Sequence, residues 1–470
     1  MKKIALTILG LLAGSALYAE PVKLTNVVCF VKFADQDYNE WYHQEEGLIT
    51  PPYSWYDTFF NSTEEDANSV RNYFSTMSYG RADWESTIVR YEYVDENPRN
   101  YYLPKSASNP NGYDPTLEAF LDTRFSTLVK NVCKKIEKKL PADVVLDGNN
   151  DGEVDNLTII INGSSALSSA NVLWPQNKRV TSTELKGIRV GNVLRVFDGY
   201  NGYKGLEGID INTGVVCHEM MHSLNAYDLY TSSSSPQTEP VNVWDIMSDN
   251  RVVPQSLTAY MRNRYSSEHG EWIKNSEITQ LTESGTYTVR PLNSPTPENV
   301  AYKIVPNKNR QEYFMVEYRD RQDIWDAGLP AGGLLVYRIN PGADGNLGEE
   351  PEVYVFRPGG SEITAGTVNK APFGPDTDRY SFGATKDKDY PFYSDGSKAK
   401  FSITEIAPTD EGMQFTLTLE GSSAIEEITT DDLNALDGDP VIYNLQGQRL
   451  RTLPTAPGLY IINGRKHLLR

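Results

Sequence analysis

The chain has 470 residues, of which 44 are Lys or Arg and 63 are Asp or Glu, so its formal net charge is −19 at pH 7. A chain this acidic repels nucleic acid and anionic membranes, which excludes both as general binding partners. The length predicts roughly two or three folded domains, and hydrophobic residues make up 39% of the sequence, which excludes wholesale disorder.

The N-terminus has the features of a secretory signal peptide. Lys2 and Lys3 precede an apolar run over residues 4–16, and Ala19 supplies a small residue at a cleavage point. No later stretch approaches the ~18 consecutive apolar residues of a membrane span. We therefore expect residues 1–19 to be removed and the mature chain to be exported, either secreted or associated with the cell surface.

Export permits disulfides, but the chain contains only Cys29, Cys133 and Cys217. All three lie in apolar or helical patterns, so we expect buried free thiols rather than a disulfide framework.

The sequence mixes helix and strand patterns up to about residue 275 and then becomes rich in strands. In the first part, we expect strands over residues 24–33 and 157–161, a helix starting at Ser62, a long helix over residues 115–140 and a helix over residues 213–224. In the second part, we expect strands over residues 287–290, 302–305, 313–318, 334–339 and 353–356. This order predicts an α+β fold in which a β-sandwich-type domain follows the first domain.

The segment His218-Glu219-Met220-Met221-His222 carries the most specific chemical pattern in the chain. On a helix, the two histidines lie one turn apart on the same face, so both imidazoles can bind one metal ion. Glu219 lies beside them, where its carboxylate can take a proton from a metal-bound water molecule. Two unrelated surface histidines are the alternative, which is disfavoured because the whole chain contains only five.

A catalytic zinc site needs three protein ligands and one open position, so a third ligand must lie nearby. Asp228 follows His222 by six residues, and a continuing helix would carry it about 9 Å along the axis, out of reach. The helix must therefore end, and Asn225 lies where a residue in the left-handed conformation would turn the chain. Glu239 is the alternative third ligand, but four Ser precede it and a Pro follows it, which favours Asp228.

The extended pattern His-Glu-x-x-His-x-x-Asn-x-x-Asp resembles the zinc motif of the metzincins, in the variant whose third ligand is Asp. Residues 244–248 (WDIMS) resemble the Met turn of those proteins. Most of residues 24–420 is similar to the immune inhibitor A family of secreted bacterial metalloproteases. The resemblance implies a metzincin-like catalytic domain with zinc bound by His218, His222 and Asp228, Glu219 as general base, and Met247 as the Met-turn residue. Asn225 replaces the usual Gly, and Asn tolerates that backbone geometry.

Residues 147–155 (DGNNDGEVD) place oxygen-bearing side chains at alternate positions, with Gly at the sixth position, as calcium loops do. We expect a structural Ca²⁺ ion here, held by Asp147, Asn149, Asp151, Glu153 and Asp155. The twelfth position is Thr158, which cannot supply a carboxylate, so a solvated turn rich in Asp and Asn is the alternative.

Residues 441–470 resemble the C-terminal β modules of proteins that Bacteroidetes export, which serve in sorting or surface retention. A pair of strands that completes the preceding domain is the alternative. The expected organisation is a signal peptide over residues 1–19, a zinc metalloprotease domain over 20–275, a β-rich sandwich-like domain over 276–421, a linker over 422–439 and a sorting-like β module over 440–470.

The leading hypothesis is an exported zinc endopeptidase that hydrolyses peptide bonds of extracellular proteins, with a protein or peptide as its partner and no nucleic acid. Tyr227, Tyr230 and Tyr260 are candidates for stabilising the oxyanion, and the sequence does not choose between them. A surface adhesin or glycan-binding protein with an inactive protease-like domain is one alternative. A zinc hydrolase with a non-peptide substrate is another. Glu219 favours catalysis over adhesion, because binding needs no base.

Overall fold

The structure is a computed structural model. It describes residues 20–36, 51–114, 116–163, 172–198, 211–231, 239–307, 309–348, 350–420, 426–430, 433, 440–450, 452–463 and 465–469. The predicted signal peptide and most of the predicted linker lie outside these ranges. None of the helices in them combines the length and the apolar character needed to cross a bilayer.

The N-terminal half contains both helices and strands. The helices are α1 (Tyr53–Asn61), α2 (Val70–Met77), α3 (Glu118–Ile136), α4 (Thr213–Ser223) and α5 (Ala259–Arg264). The strands are β1 (Val22–Phe33), β2 (Ala82–Asp95), β3 (Asn156–Ile161), β4 (Gln176–Arg179), β5 (Glu184–Leu185), β6 (Ile188–Arg189) and β7 (Asn192–Phe197). Short 3₁₀ helices cover Arg99–Tyr102, Glu137–Lys139 and Asn242–Trp244.

One mixed sheet, in the order β2-β1-β3-β7-β4, organises this half. Its first four strands are parallel, and β4 runs antiparallel to β7 at the edge. Alternate residues of β1 face two cores: Val28 and Phe30 pack in the core that contains α2 and α4, while Cys29 and Val31 pack in the core that contains α3. Helices thus cover both faces, which explains the continuous apolar runs of β1 and β3.

Several sequence predictions for this half are confirmed, and one is wrong. The strands predicted over 24–33 and 157–161 and the helix over 213–224 are present, and all three cysteines are buried and unpaired. The helix predicted to start at Ser62 begins instead at Val70, because the hydroxyl of Ser69 accepts a hydrogen bond from the backbone N–H of Asn72 (3.1 Å) and caps it. Ser62 follows the end of α1, which the sequence patterns do not predict, and β2 is likewise unpredicted.

The β-rich half contains two sheets. Its strands are β8 (Thr279–Leu281), β9 (Gly285–Val289), β10 (Ala301–Ile304), β11 (Tyr313–Arg319), β12 (Gly333–Ile339), β13 (Val353–Val355), β14 (Phe401–Pro408) and β15 (Met413–Leu419). Short 3₁₀ helices cover Asn275–Glu277, Val368–Lys370 and Pro375–Thr377. The sheets run in the orders β13-β12-β11-β10-β8 and β14-β15-β9, and they share a hydrophobic core.

The five-stranded sheet also packs against the N-terminal half. Met315 of β11 and Leu335 of β12 belong to the same core as Trp244 and Met247. One core therefore continues across the boundary predicted at residue 275, and this contact brings the β-rich half close to α4.

The C-terminal strands form a small separate sheet. They are β16 (Glu426–Ile428), β17 (Ile442–Tyr443), β18 (Arg449–Leu450), β19 (Gly458–Ile462) and β20 (Arg465–Leu469), in the order β16-β20-β19-β17-β18. Leu433, Ile442, Ile462 and Leu469 form its core. The molecule is thus a mixed α/β protein with several sheets, and its division into the predicted domains stays a prediction.

Candidate metal centre

Helix α4 carries the predicted metal-binding histidines. It begins at Thr213, where the side chain of Asn212 accepts a hydrogen bond from the backbone N–H of Val215 (3.0 Å). Gly214 lies against the backbone of Arg251, whose carbonyl oxygen is only 1.8 Å from the position that a Cβ atom would occupy. Only glycine fits there, so α4 is held close to the segment around Arg251.

Asn225 ends the helix as the sequence predicts, in the left-handed conformation with φ 63°. The N–H of Asn225 donates to the carbonyl of His222 (3.0 Å), and the N–H of Ala226 donates to the carbonyl of Met221 (3.2 Å). This pair of bonds is a Schellman motif, which satisfies the last carbonyls of the helix while the chain reverses direction.

The reversal brings Asp228 against the two histidines. Its Oδ1 lies 3.2 Å from Nε2 of His218 and 3.4 Å from Nε2 of His222. Within the described part of the chain, these are the only three His, Cys, Asp or Glu side chains that could hold a metal ion together, with ligand atoms within 4.8 Å of one another. Glu239, the alternative third ligand, instead accepts a hydrogen bond from the N–H of Thr231 (3.1 Å).

Backbone carbonyls orient both imidazole rings. Nδ1 of His218 lies 2.9 Å from the carbonyl oxygen of Ile246, and Nδ1 of His222 lies 2.7 Å from that of Ala226. A carbonyl only accepts, so each Nδ1 carries hydrogen, and in its neutral form each ring directs the lone pair of Nε2 towards Asp228. Oδ1 of Asp228 is buried and lies within 3.4 Å of Nε2 of both imidazoles. Three electron-pair donors at this separation repel unless a cation lies among them, so the donor set fits a divalent metal.

His218, His222 and Asp228 form a cluster in which opposite charges stabilise one another when no metal is bound. Burial lowers the pKa of His218, but hydrogen bonding to Asp228 and the charges of Glu219 and Asp228 outweigh burial and raise the pKa to about 9. Burial acts to raise the pKa of Asp228, but hydrogen bonding to His218 and His222 holds it well below its ordinary value. A proton therefore occupies the cluster when a metal does not.

The segment predicted as a Met turn lies next to the cluster. Met247 is fully buried, and its carbonyl accepts a hydrogen bond from the N–H of Leu229 (2.8 Å), directly after Asp228. The carboxylate of Asp245 accepts hydrogen bonds from the N–H groups of Met247 (2.9 Å) and Thr258 (2.6 Å). This turn places the carbonyl that orients His218, a contact that the sequence does not reveal.

Glu219 is held by the edge strand β4. Its Oε2 accepts a hydrogen bond from the backbone N–H of Asn177 (2.5 Å), and the side-chain amide of Asn177 donates to the carbonyl of Glu219 (2.8 Å) and to Oγ of Ser223 (2.7 Å). Ser223 in turn donates to Oδ1 of Asn156 on β3 (2.6 Å). The sequence does not predict this role of Asn177. The nearby pair Trp174-Pro175 is the only local pattern that points to this segment.

The cluster opens into a cleft of about 740 Å³. Both Tyr227 and Tyr230 line this cleft, and burial together with the charge of Asp228 raises the pKa of Tyr230. Tyr260 is buried, and its hydroxyl donates to the carboxylate of Glu352 (2.8 Å). Of the three tyrosines that the sequence leaves open, two are therefore in position to reach a substrate.

The first half of the predicted calcium loop binds its own backbone. The two carboxylate oxygens of Asp147 accept hydrogen bonds from the N–H groups of Asp151 and Gly152 (2.9 Å each). The side-chain amide of Asn149 donates to the carboxylate of Asp151 (3.0 Å). This arrangement is the one expected of a turn rich in Asp and Asn.

The second half of that loop binds neighbouring segments. Glu153 forms ion pairs with Arg179 and Arg189. The carboxylate of Asp155 accepts a hydrogen bond from the N–H of Thr25 (2.8 Å), and its burial raises the pKa to about 7. The described carboxylates of residues 147–155 do not converge on one point, so a Ca²⁺ ion here stays a prediction without structural support.

Comparison with known proteins agrees with the chemistry of this site. The family described as immune inhibitor A peptidase M6, catalytic domain, matches residues 25–278, which is more than half of the chain. No curated protein sequence matches. The family match ends before the β-rich half and leaves the C-terminal sheet unassigned.

Among solved structures, the chain is similar to wild-type OgpA from Akkermansia muciniphila, with 12% identity and a TM-score of 0.26 over 67% of this chain and 76% of that one. It is also similar to catalytic inactive OgpA in complex with an O-glycopeptide substrate, glycodrosocin, with 10% identity and a TM-score of 0.27 over 69% and 73%. Scores this low transfer neither a fold nor a substrate. The family match is extensive enough to decide the matter: this chain belongs to the immune inhibitor A peptidases of family M6 and is a metallopeptidase.

Proposed function

We propose that the protein is an exported, zinc-dependent endopeptidase in which His218, His222 and Asp228 hold the metal and Glu219 is the general base. The convergence of two imidazole nitrogens and one carboxylate oxygen within 4.8 Å, in an open cleft beside a fourth ionisable group, carries this proposal. Two nitrogen ligands and one oxygen ligand are a common set for catalytic zinc.

When bound, zinc supplies a Lewis acid that polarises the scissile carbonyl and lowers the pKa of the attacking water. The chain's own residues transfer the proton and orient the base. Glu219 takes the proton of the attacking water and delivers it to the leaving amine. Asn177 holds one oxygen of that carboxylate through its backbone N–H, so the base enters the reaction with a fixed orientation.

Tyr230 is the residue that we propose to stabilise the negative charge on the carbonyl oxygen. It lines the cleft with the cluster, and burial, the charge of Asp228 and hydrogen bonding to Asp228 raise its pKa, so its hydroxyl is a donor beside the metal ligands. Tyr227, which lines the same cleft, is the alternative.

The substrate that we propose is an extended peptide of an extracellular protein. The outer edge of β4 has no strand beside it among the described residues, and Trp174 to Asn177 line the cleft along that edge. Export rests on the charged and apolar pattern of residues 2–19.

The test is to measure zinc content and cleavage of an unfolded protein for the wild type, His222→Ala and His467→Ala. His467 lies in the C-terminal sheet and serves as the matched control. We expect the wild type and the control to bind about one zinc per chain and to cleave until a chelator is added, and His222→Ala to lose both properties. Zinc binding without cleavage would favour the adhesin or a non-peptide hydrolase, and equal cleavage by all three would place the activity elsewhere.

A further inference from the structure

A loop of the β-rich half, residues 340–348 between β12 and β13, reaches the metal cluster. The backbone N–H of Asn346 donates to the carbonyl of Asp228 (2.8 Å), and its side-chain amide donates to the carbonyls of Leu229 (2.7 Å) and Val353 (3.0 Å). Its Oδ1 accepts from the N–H of Val353 (3.1 Å). Asn346 is only 1% exposed, so these bonds are shielded from water and tie the third ligand's segment to β13.

The neighbouring glycine lets this loop approach so closely. Gly345 has φ +74°, and a Cβ atom there would lie 2.5 Å from the carbonyl oxygen of Asp228 and 2.7 Å from Cβ of Tyr227. The fully buried side chain of Glu352 anchors the loop. It accepts hydrogen bonds from the N–H of Gly345 (2.6 Å) and from the hydroxyl of Tyr265 (2.9 Å). The loop therefore has a fixed position relative to Asp228.

The next residue of the loop faces the cleft. Leu347 lines it and is 50% exposed, although Asn346 beside it is buried. Tyr227 and Tyr230, which are 44% and 36% exposed, line the same cleft. Large apolar side chains left half-exposed around reactive groups are typical of a surface that a ligand covers.

We propose that residues 345–347 complete the active site from outside the matched catalytic domain. Asn346 is a positioning residue whose side-chain amide fixes the carbonyl of Leu229 and thereby holds the preceding residue, Asp228, at the metal. Leu347 forms, with Tyr227 and Tyr230, a binding site for an apolar side chain of the peptide substrate. This inference rests on the proposed function, and it makes the β-rich half part of the catalytic machinery.

The first test compares Asn346→Ala with Asn109→Ala in the full chain. Asn109 is a matched control, because it is also buried and its side-chain amide also donates to two backbone carbonyls, those of Asn100 (2.8 Å) and Pro104 (3.1 Å). We expect both variants to lose thermal stability. Only Asn346→Ala should raise the Kd for zinc, by about tenfold, as the loss of an outer partner of a metal ligand does. Equal zinc affinities in the two variants would overturn the positioning role.

The second test uses Leu347, whose half-exposed side chain can change without disturbing the fold. Leu347→Ala should lower kcat/KM about tenfold at bonds flanked by large apolar residues, with unchanged zinc affinity, and Leu347→Met should restore it. Mass spectrometry of the fragments of one unfolded protein shows which bonds are cut. An unaltered cleavage pattern would overturn the subsite. A wild type that binds no zinc or cuts nothing would instead overturn the proposed function itself.

Discussion

Raising the pH should weaken the fold of the metal-free protein and strengthen its affinity for zinc, and both effects originate at His218. Burial lowers the pKa of this imidazole, but Asp228 and Glu219 raise it from 6.5 to about 9. The pair of His218 and Asp228 therefore stabilises the metal-free fold fully below pH 6.5, and this contribution is lost as the pH rises through 9. A difference of about 2.5 pKa units corresponds to about 3 kcal/mol.

Zinc must displace the same proton, so its binding at pH 7 should release about one proton, and its Kd should fall about tenfold per pH unit up to about pH 9. Calorimetric titration of chelator-stripped protein in buffers with different ionisation enthalpies counts the protons, and a competing chelator of known affinity gives the Kd. His467→Ala, outside the cluster, should behave as the wild type. Binding at pH 7 without proton release, with a Kd that stays constant from pH 6.5 to 8.5, would refute the reasoning.

Three further substitutions test other parts of the account. Asn225→Val should lower the free energy of unfolding by about 1–2 kcal/mol in chemical denaturation, because a β-branched residue is strained at φ 63°, whereas Asn225→Gly should not. Asp155→Asn should remove a pH dependence of stability, because burial raises the folded-state pKa of Asp155 to about 7. In chemical denaturation, the free energy of unfolding of the wild type should fall by about 3 kcal/mol relative to that of the variant between pH 4 and 7, and a constant difference would contradict this. Tyr230→Phe should lower kcat about a hundredfold in steady-state assays at saturating zinc; an unchanged kcat would assign oxyanion stabilisation to another group.

The convergence of His218, His222 and Asp228 could be predicted from the sequence because its geometry is local. Helical spacing alone places His218 and His222 on one face, and the backbone preference of Asn225 predicts the reversal that returns Asp228 to them. These relations span eleven residues, from 218 to 228, and depend little on the rest of the fold.

The partners that orient the cluster could not be predicted, because they come from distant segments. Asn177 reaches Glu219 only through the pairing of β4 with β7, and Asn346 follows Asp228 by more than a hundred residues. The start of α2 was predicted wrongly for a similar reason. Ser62 and Ser69 both resemble helix caps, and the choice between them depends on α1, which ends just before Ser62.

Glu219 is the residue that we propose as the base of a zinc-dependent peptidase, and Glu219→Gln tests this role most directly. The amide keeps the size of the side chain but cannot take a proton at neutral pH. The measurement is the single-turnover rate of cleavage of an unfolded protein by wild type and variant at matched zinc content. We predict full zinc occupancy with a rate about 10²–10⁴ times lower in the variant. A variant that cleaves at the wild-type rate would contradict the account.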